Sequence, residues 1–194
     1  MAATFDLPAH EFRLIEAADY GLNGRRLNTL LEQGEIERIG RGLYRPTALP
    51  TTDLDRLEIA AKAPFATICL ASALAEHELI DEIPARIDIA LPRNTRAPEI
   101  GGPIAWHRFD RATFELGRTE IAISGSRRRI GIYSAERSIV DAFRMRRTIG
   151  YEIPTEALKN WLRRRGSRPT TLIKFASQIP KSSGPLMQAL EYLS

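Results

Sequence analysis

The pattern of apolar and polar positions is most regular between residues 20 and 45. Leu27, Leu30 and Leu31 recur at i, i+3 and i+4 and form one apolar stripe, which is typical of an amphipathic helix. A glycine-containing turn precedes the stripe, and Asn23 is suited to cap the first turn because its side chain can accept a backbone hydrogen bond. Gly34 stands where a left-handed C-terminal cap is expected. The pattern therefore predicts a helix between Asn23 and Gly34.

The spacing of apolar positions changes from helical to strand-like directly after this helix. Ile36 and Ile39 flank two charged residues, a Gly-Arg-Gly turn follows at 40–42, and Leu43-Tyr44-Arg45 returns as a second strand. A helix followed at once by a short basic hairpin is typical of the second half of a winged helix-turn-helix. There the helix enters the DNA major groove, and the hairpin contacts phosphates or the minor groove. A small α+β domain whose exposed arginines are only solvated is compatible with the same pattern.

The polar side chains of this region lie off the apolar stripe and face solvent or a partner. The hairpin is short, so we expect its arginines to stay exposed, and its glycines allow the backbone to approach a phosphate closely. We expect the first turns of the helix to read base edges and the hairpin to contact phosphates. The residues expected to bind DNA are Asn23, Arg25, Arg26, Asn28, Thr29, Arg38, Arg41 and Arg45.

The remaining chain predicts an α+β protein with two domains. The segment 46–52 has two prolines, three threonines and no periodicity, and reads as a linker. Beyond it, apolar periodicity predicts strands at 65–70, 87–91, 101–109, 120–124 and 129–133, and helices at 53–62, 72–79, 134–146, 154–165, 169–178 and 185–193. We therefore expect an N-terminal winged helix-turn-helix over residues 1–48, followed by a larger mixed α/β domain over 53–194 that ends in a helical cluster.

Three stretches of the chain resemble one known family. The hairpin sequence GEIERIGRGLYR resembles the wing of AbiEi-type antitoxins, the antitoxin half of type IV toxin–antitoxin systems. ICLASALAEHELIDEIPARIDIALPR and IYSAERSIVDAFRMR resemble the second domain of that family, so the likeness covers roughly residues 10–193. The resemblance implies that the winged helix binds double-stranded DNA at operator repeats ahead of its own operon. It implies that the second domain counteracts a nucleotidyltransferase-like toxin, a partner in function that in type IV systems is generally held not to form a stable complex.

The segment ahead of the helix predicts a positioning helix. Pro8 to Tyr20 reads as one amphipathic helix with Phe12, Leu14, Ile15 and Ala18 facing inward. Winged helices of this family normally place one more helix ahead of it, and only seven residues precede Pro8. We therefore expect that first helix to be missing or replaced.

The net charge of +4 is unevenly distributed. Residues 1–103 carry 11 Lys+Arg against 16 Asp+Glu, a net −5, whereas residues 104–168 carry 15 against 7, a net +8. A basic surplus of this size suits an anionic partner, either DNA or an acidic protein, and equally suits a solvated basic face. The candidate partner or DNA surface consists of Arg127, Arg128, Arg129, Arg144, Arg146 and Arg147.

Candidate catalytic and metal-binding residues are few. Cys69 lies in an apolar run and cannot form an internal disulfide, and His77 has no second ligand at metal-binding spacing. Asp88 lies in a predicted strand, but the next strand offers no acidic residue or lysine of the kind that a metal-dependent nuclease needs. Arg137 and Asp141 stand at i, i+4 and suggest a surface or interdomain salt bridge. We therefore expect no enzymatic activity, no metal and no cofactor.

The N-terminal sequence has neither a basic nor an apolar signal-peptide region, and no apolar stretch reaches the roughly 18 residues of a membrane span. A cytoplasmic protein without a membrane partner is expected. The alternatives to an antitoxin are a stand-alone winged-helix transcriptional regulator and a metal-dependent nuclease guided by a winged helix.

Overall fold

The computed structural model describes residues 7–50 and 53–193 of the chain. It divides into two compact units, and both units are assembled from separate parts of the sequence. The first comprises Met1–Pro64, Pro98–Gly102 and Ile121–Ile130; the second comprises Phe65–Ala97, Pro103–Glu120 and Gly131–Ser194. The helix after the linker and two later segments thus belong with the first unit. A functional boundary between residues 48 and 53 stays a prediction.

The first unit is built on a small antiparallel sheet. Its elements are β1 (Phe12–Arg13), a 3-10 helix (Ala17–Tyr20), α1 (Gly24–Glu32), β2 (Ile36–Gly40), β3 (Leu43–Pro46) and α2 (Leu54–Lys62). The sheet order is β1-β3-β2, and β2 and β3 form the hairpin. This sequence of strand, short helix, helix and hairpin is compatible with a winged helix-turn-helix.

The predicted apolar stripe packs the core of the first unit. Leu27 and Leu30 of α1 are buried together with Phe12 of β1 and Ile36 of β2, whereas Leu31 is only partly buried. Because β1 and β2 flank β3 in the sheet, these contacts hold α1 against the hairpin strands. The helix and the hairpin were both predicted, and both are confirmed.

The helix predicted over Pro8–Tyr20 is wrong. Phe12 and Arg13 form β1 and pair with Tyr44 and Leu43 of β3, and only Ala17–Tyr20 is helical, as a 3-10 turn. Leu14 is 52% exposed and Ile15 is 84% exposed, so they are not core positions. The apolar spacing matched a helix, but pairing with β3 fixes the backbone of this segment as strand and turn.

A helix later in the chain packs against the hairpin of the first unit. A Cβ atom built on Gly40 would overlap the Glu58 carboxylate of α2, so glycine allows this carboxylate to lie directly against the end of β2. The Arg13 guanidinium donates to the carbonyl of Ala61, which ties β1 to the end of α2. These contacts make α2 part of the packing around the sheet.

The second unit carries most of the regular structure. Its strands belong to a five-stranded sheet of order β6-β5-β4-β8-β7, made of β4 (Thr67–Ile68), β5 (Ile87–Pro92), β6 (Ile104–Phe109), β7 (Arg118–Ala122) and β8 (Arg129–Tyr133). The last two residues of β7 and the first two of β8 are counted with the first unit. The pairs β5–β6 and β4–β8 are parallel, and β4–β5 is antiparallel. The helices are α3 (Leu70–Glu76), α4 (Arg111–Phe114), α5 (Ala135–Arg144), α6 (Arg146–Ile149), α7 (Glu152–Leu162), α8 (Pro169–Gln178) and α9 (Ser183–Leu193). The fold is therefore mixed α+β, with the helices concentrated toward the C-terminus.

The centre of the helical part is α5. Its buried residues pack in one apolar cluster with residues of α3, α7, α8 and α9. Ile139 and Val140 of α5 are fully buried in this cluster, as are Leu158 of α7 and Leu172 of α8. The helix predicted over 134–146 is thereby confirmed as the centre of the helical cluster.

Arg137 and Asp141 do not form a surface salt bridge, contrary to the sequence-based expectation. Both side chains are fully buried, and Nε of Arg137 lies 2.6 Å from Oδ2 of Asp141. Nη1 of Arg137 also donates to the carbonyls of Thr113 and Leu116, each at 2.7 Å, so the buried charge is fully engaged. Arg144 places a second guanidinium 3.0 Å from Oδ1 of Asp141. The i, i+4 spacing correctly predicted the pair but could not indicate its burial.

Across the described residues, every helix is too short or too polar to span a bilayer.

Candidate nucleic-acid interface

The start of α1 is fixed by a side-chain cap. Oδ1 of Asn23 accepts a hydrogen bond from the backbone amide of Arg26 at 3.0 Å, and the Asn23 backbone is extended. The predicted N-cap is therefore confirmed. Because the cap sets where the helix begins, it also sets which side chains of the first two turns point away from the core.

One polar stripe of α1 faces solvent. Arg25, Asn28 and Thr29 stand at i, i+3 and i+4 and are all exposed, so they lie together on the surface opposite the buried leucines. We call these three residues the recognition stripe. Oγ1 of Thr29 donates to the carbonyl of Arg25 at 3.1 Å, so its hydroxyl is satisfied within the helix while the residue stays exposed. Arg26, also predicted to bind DNA, is half-buried at the margin of this surface.

The hairpin presents Arg41 at its turn. Arg41 is exposed, and the next residue, Gly42, has a φ of +71°, a conformation that favours glycine. Arg38 is exposed on β2, and its Nε donates to the carbonyl of Gly40 at 3.2 Å. One exposed cation thus lies at the turn and another on the adjoining strand.

Arg45 is placed differently from the other two hairpin arginines. It is only 5% exposed, and Nη1 lies 2.8 Å from Oε1 of Glu37. Nη2 donates to the carbonyl of Pro50. The expectation that the hairpin leaves Arg45 exposed is wrong, because Glu37 and Arg45 are directly opposite in the β2–β3 register and form a cross-strand pair.

The positions of Glu37 and Arg45 in the sequence are themselves a signal for this pair. Glu37 and Arg45 each stand four positions from Arg41 at the centre of the turn. Residues at equal distances from the centre of a hairpin turn lie opposite each other when the two strands are in simple register. An acid and a base at such positions are better read as partners than as separate surface charges.

The first basic cluster beyond the hairpin belongs to the first unit. Nε of Arg128 lies 3.1 Å from Oε1 of Glu11, and Oγ of Ser126 donates to the same carboxylate oxygen at 2.9 Å. Glu11 is 3% exposed, and no feature of the sequence pointed to it. Arg127 and Arg129, on either side of Arg128, are exposed.

The second basic cluster belongs to the second unit. Besides its pair with Asp141, Arg144 lies with its guanidinium 4.9 Å from the centre of the Phe109 ring. Arg146 donates to the carbonyl of Phe143 at 3.0 Å and lies over the Tyr151 ring. Arg147 is exposed. The two clusters therefore lie in different units. Arg128, Arg144 and Arg146 each contact other residues of their own unit.

The histidines and Asp88 are held in local hydrogen bonds. Nε2 of His77 lies 2.7 Å from the carbonyl oxygen of Tyr133, which gives His77 a structural role. Asp88 lies on β5 and His107 on the neighbouring parallel strand β6, and Nε2 of His107 lies 2.7 Å from Oδ1 of Asp88. The partner of Asp88 on that strand is therefore a histidine, not the acidic residue or lysine that a metal-dependent nuclease needs. Within residues 7–50 and 53–193, no three His, Cys, Asp or Glu side chains converge as ligands for a metal ion.

The cysteine is buried beside an aromatic cluster. Burial raises the pKa of the Cys69 thiol well above its usual range, and the carboxylates of Asp88 and Asp141 raise it further. Burial also raises the pKa of the Tyr133 phenol, whose hydroxyl donates to the carbonyl of Phe114 at 2.8 Å. A thiol held in its neutral form is a poor nucleophile, so this site has the character of a core position.

Comparison with known proteins identifies the N-terminal segment. A family model described as "Transcriptional regulator, AbiEi antitoxin" matches residues 12–47. The match begins with β1 and ends one residue after β3, so it spans the sheet of the first unit and the helices between its strands. A search of curated proteins gave no significant match. The resemblance to AbiEi-type antitoxins is confirmed over this segment.

Proposed function

We propose that this protein is a DNA-binding antitoxin of a type IV toxin–antitoxin system, which represses its own operon and counteracts a nucleotidyltransferase-like toxin. One observation carries the proposal. The segment that matches the regulator family, residues 12–47, folds as strand, short helix, helix and hairpin, with the recognition stripe and Arg41 exposed.

In this proposal α1 enters the major groove of operator DNA as the recognition helix of a winged helix-turn-helix. Arg25 can donate two hydrogen bonds to guanine, Asn28 can form a bidentate contact with adenine, and the Thr29 methyl can contact thymine. Asn23 and Arg26 lie beside these residues at the start of the helix, where the positive end of the helix dipole favours a phosphate.

The hairpin acts as the wing. Arg41 and Arg38 bind phosphates, and the Gly-Arg-Gly turn allows the backbone to approach the DNA closely. The role of Arg45 is to hold the two strands in register through Glu37, since its guanidinium is already buried and paired. The eight candidate residues are thus divided into those that contact bases, those that contact phosphates, and Arg45, which supports the hairpin from within the protein.

The antitoxin activity is assigned to the second unit, acting on the toxin's effect without a stable complex. The description of the matched family as an antitoxin supports the activity itself. Its assignment to the second unit rests on the resemblance of residues 68–93 and 132–146 to the second domain of that family. The proposal places the protein in the cytoplasm with its operator and requires neither a metal nor catalysis by this chain.

The DNA part is tested with the full chain and two duplexes of equal length. One duplex is taken from the region upstream of the protein's own reading frame, and the other has the same base composition in scrambled order. Fluorescence anisotropy at about 0.15 M salt should show at least about 10³-fold tighter binding to the upstream duplex. Equal affinities for the two duplexes would contradict the role as a specific repressor.

The antitoxin part is tested in cells that express the neighbouring nucleotidyltransferase-like protein. The full chain, supplied from a foreign promoter, should restore growth. The double variant Arg25→Ala/Arg41→Ala should restore growth equally well while failing to repress a reporter placed behind the operator. A wild-type chain that represses the reporter but does not restore growth would identify a stand-alone regulator.

A further inference from the structure

An exposed apolar turn lies between β1 and the 3-10 helix. Leu14 is 52% exposed and Ile15 is 84% exposed, and they are adjacent in the chain. Single exposed apolar residues are ordinary on protein surfaces. Two consecutive exposed apolar residues at the apex of a tight turn form a protrusion. Its position beside the hairpin indicates what it could bind.

The turn is rigidly constrained. The amide of Glu16 donates to the carbonyl of Arg13 at 2.9 Å, and the amide of Arg13 donates to Oε2 of Glu16 at 2.7 Å. The 3-10 helix starts directly afterwards, with the amide of Ala17 donating to the carbonyl of Leu14 at 3.3 Å. Because the backbone is held on both sides of Ile15, the direction in which its side chain leaves the backbone is set by the turn.

The same turn is attached to the tip of the hairpin. The amide of Leu14 donates to the carbonyl of Gly42 at 2.9 Å, and a Cβ atom built on Gly42 would lie 4.0 Å from Cβ of Leu14. Arg41, the exposed cation of the hairpin turn, is the residue next to Gly42. An apolar protrusion and a cation are therefore presented side by side, at the part of the unit assigned to the wing.

This pairing fits the minor groove of DNA. Proteins that bind there combine arginine with apolar side chains such as leucine and isoleucine, which enter between base steps and kink the duplex. Arginine in turn is attracted to the negative potential of a narrow minor groove. We propose that Ile15, supported by Leu14, is an apolar wedge that enters the minor groove beside the wing and bends the DNA. The inference rests on the proposed DNA binding and adds a second mode of recognition, through the deformability of the site.

A second copy of the chain is the other occupant to consider. A stable interface buries at least about 1,200 Å², of which two side chains supply only a small part. The neighbouring Arg41 also favours a negatively charged surface over an identical copy that brings the same cation. The minor groove satisfies both the apolar and the charged side chain.

The experiment measures DNA bending separately from affinity. A duplex of the upstream region carries a donor and an acceptor dye at its two ends, and energy transfer reports the end-to-end distance. Binding of the wild-type chain should bend the duplex by about 20° or more. Ile15→Ala should bind about three- to tenfold more weakly, lose most of the bend and keep the wild-type salt dependence, since no charge is removed.

Two variants serve as matched controls. Ile83 is 90% exposed and belongs to the second unit, so Ile83→Ala should leave bending and affinity unchanged. Arg41→Ala should show the opposite result to Ile15→Ala: the salt dependence of binding should become flatter, and the DNA bend should be preserved. Surface substitutions such as these usually change folding stability by less than about 0.5 kcal/mol, and urea unfolding checks this for each variant.

The outcomes are distinguishable. Specific binding by the wild type without bending, or with the same bend in Ile15→Ala, overturns the wedge and leaves the proposed function intact. A change in oligomeric state of Ile15→Ala by sedimentation also overturns the wedge, because the side chain would then belong to a protein interface. Absence of specific binding by the wild type overturns the proposed function and the wedge together.

Discussion

Arg45 and Glu37 join the two strands of the hairpin, with Nη1 and Oε1 2.8 Å apart. Removing the Arg45 side chain leaves the Glu37 carboxylate without this partner and opens a buried position at the end of β3. Arg45→Ala should therefore lower the free energy of unfolding by about 1–3 kcal/mol. Urea unfolding of the full chain measures this, with Arg41→Ala as the control that should remain within about 0.5 kcal/mol of wild type. Equal effects of the two substitutions would contradict the distinction between them.

Arg25 should act on sequence recognition. It is exposed on the first turn of the recognition stripe, so its removal should cost about 1–3 kcal/mol on the operator and little on scrambled DNA. Anisotropy titrations on both duplexes measure the difference. Arg96, an exposed arginine of the second unit, provides the matched substitution Arg96→Ala, which should change neither affinity. If Arg25→Ala weakened binding to both duplexes equally, Arg25 would contact a phosphate.

Arg41 should act on the salt dependence of binding. Each phosphate that a protein cation neutralises releases condensed counterions, and the log–log slope of affinity against salt changes by about 0.9 per contact. Arg41→Ala should therefore flatten the slope by about one and weaken binding to all sequences alike. A salt series with wild type, Arg41→Ala and Arg38→Ala measures it. If neither variant changed the slope, the exposed arginines at 127 and 129 of the same unit would become the better candidates for phosphate contact.

Cys69 should make the free energy of unfolding depend on pH in the alkaline range. Burial, and then the nearby carboxylates, raise the thiol pKa in the folded state, whereas an unfolded cysteine has a pKa of about 8.5. Below that value both states keep the proton; above it only the unfolded state loses the proton, so stability falls as the pH rises. Urea unfolding at a series of pH values should show this fall in wild type and a smaller fall in Cys69→Ala between about pH 8.5 and 10. Rapid reaction of the thiol with a disulfide reagent in the native protein would contradict its burial.

The parts of the fold that sequence could predict are those fixed by local signals. The Asn23 cap, the Leu27–Leu30 stripe and the Gly-Arg-Gly turn each act within a few residues, and the helix and hairpin that they predict are confirmed. They also determine the exposure of Arg25 and Arg41, which carry the proposed interface.

The errors arose where distant residues decide the structure. The apolar spacing of 8–20 matches a helix, but the pairing of Phe12 with Tyr44 is a contact across 32 positions that periodicity does not report. The same holds for the Arg128–Glu11 pair, whose residues are 117 positions apart in sequence. Arg137 was paired correctly with Asp141, but its burial depends on the carbonyls of Thr113 and Leu116, which no local pattern indicates.

The discontinuity of the first unit has a consequence for synthesis of the protein. Residues 121–130 belong to this unit, and two of them, Ser126 and Arg128, contact Glu11. A nascent chain that has emerged only as far as the linker carries the recognition helix and the wing but still lacks part of their supporting unit. The end of the protein for which DNA binding is proposed leaves the ribosome first, but it is completed only after about two-thirds of the chain has been translated. Premature termination before residue 121 would therefore yield fragments with an incomplete first unit, so the proposed operator binding requires synthesis of about the first two-thirds of the chain.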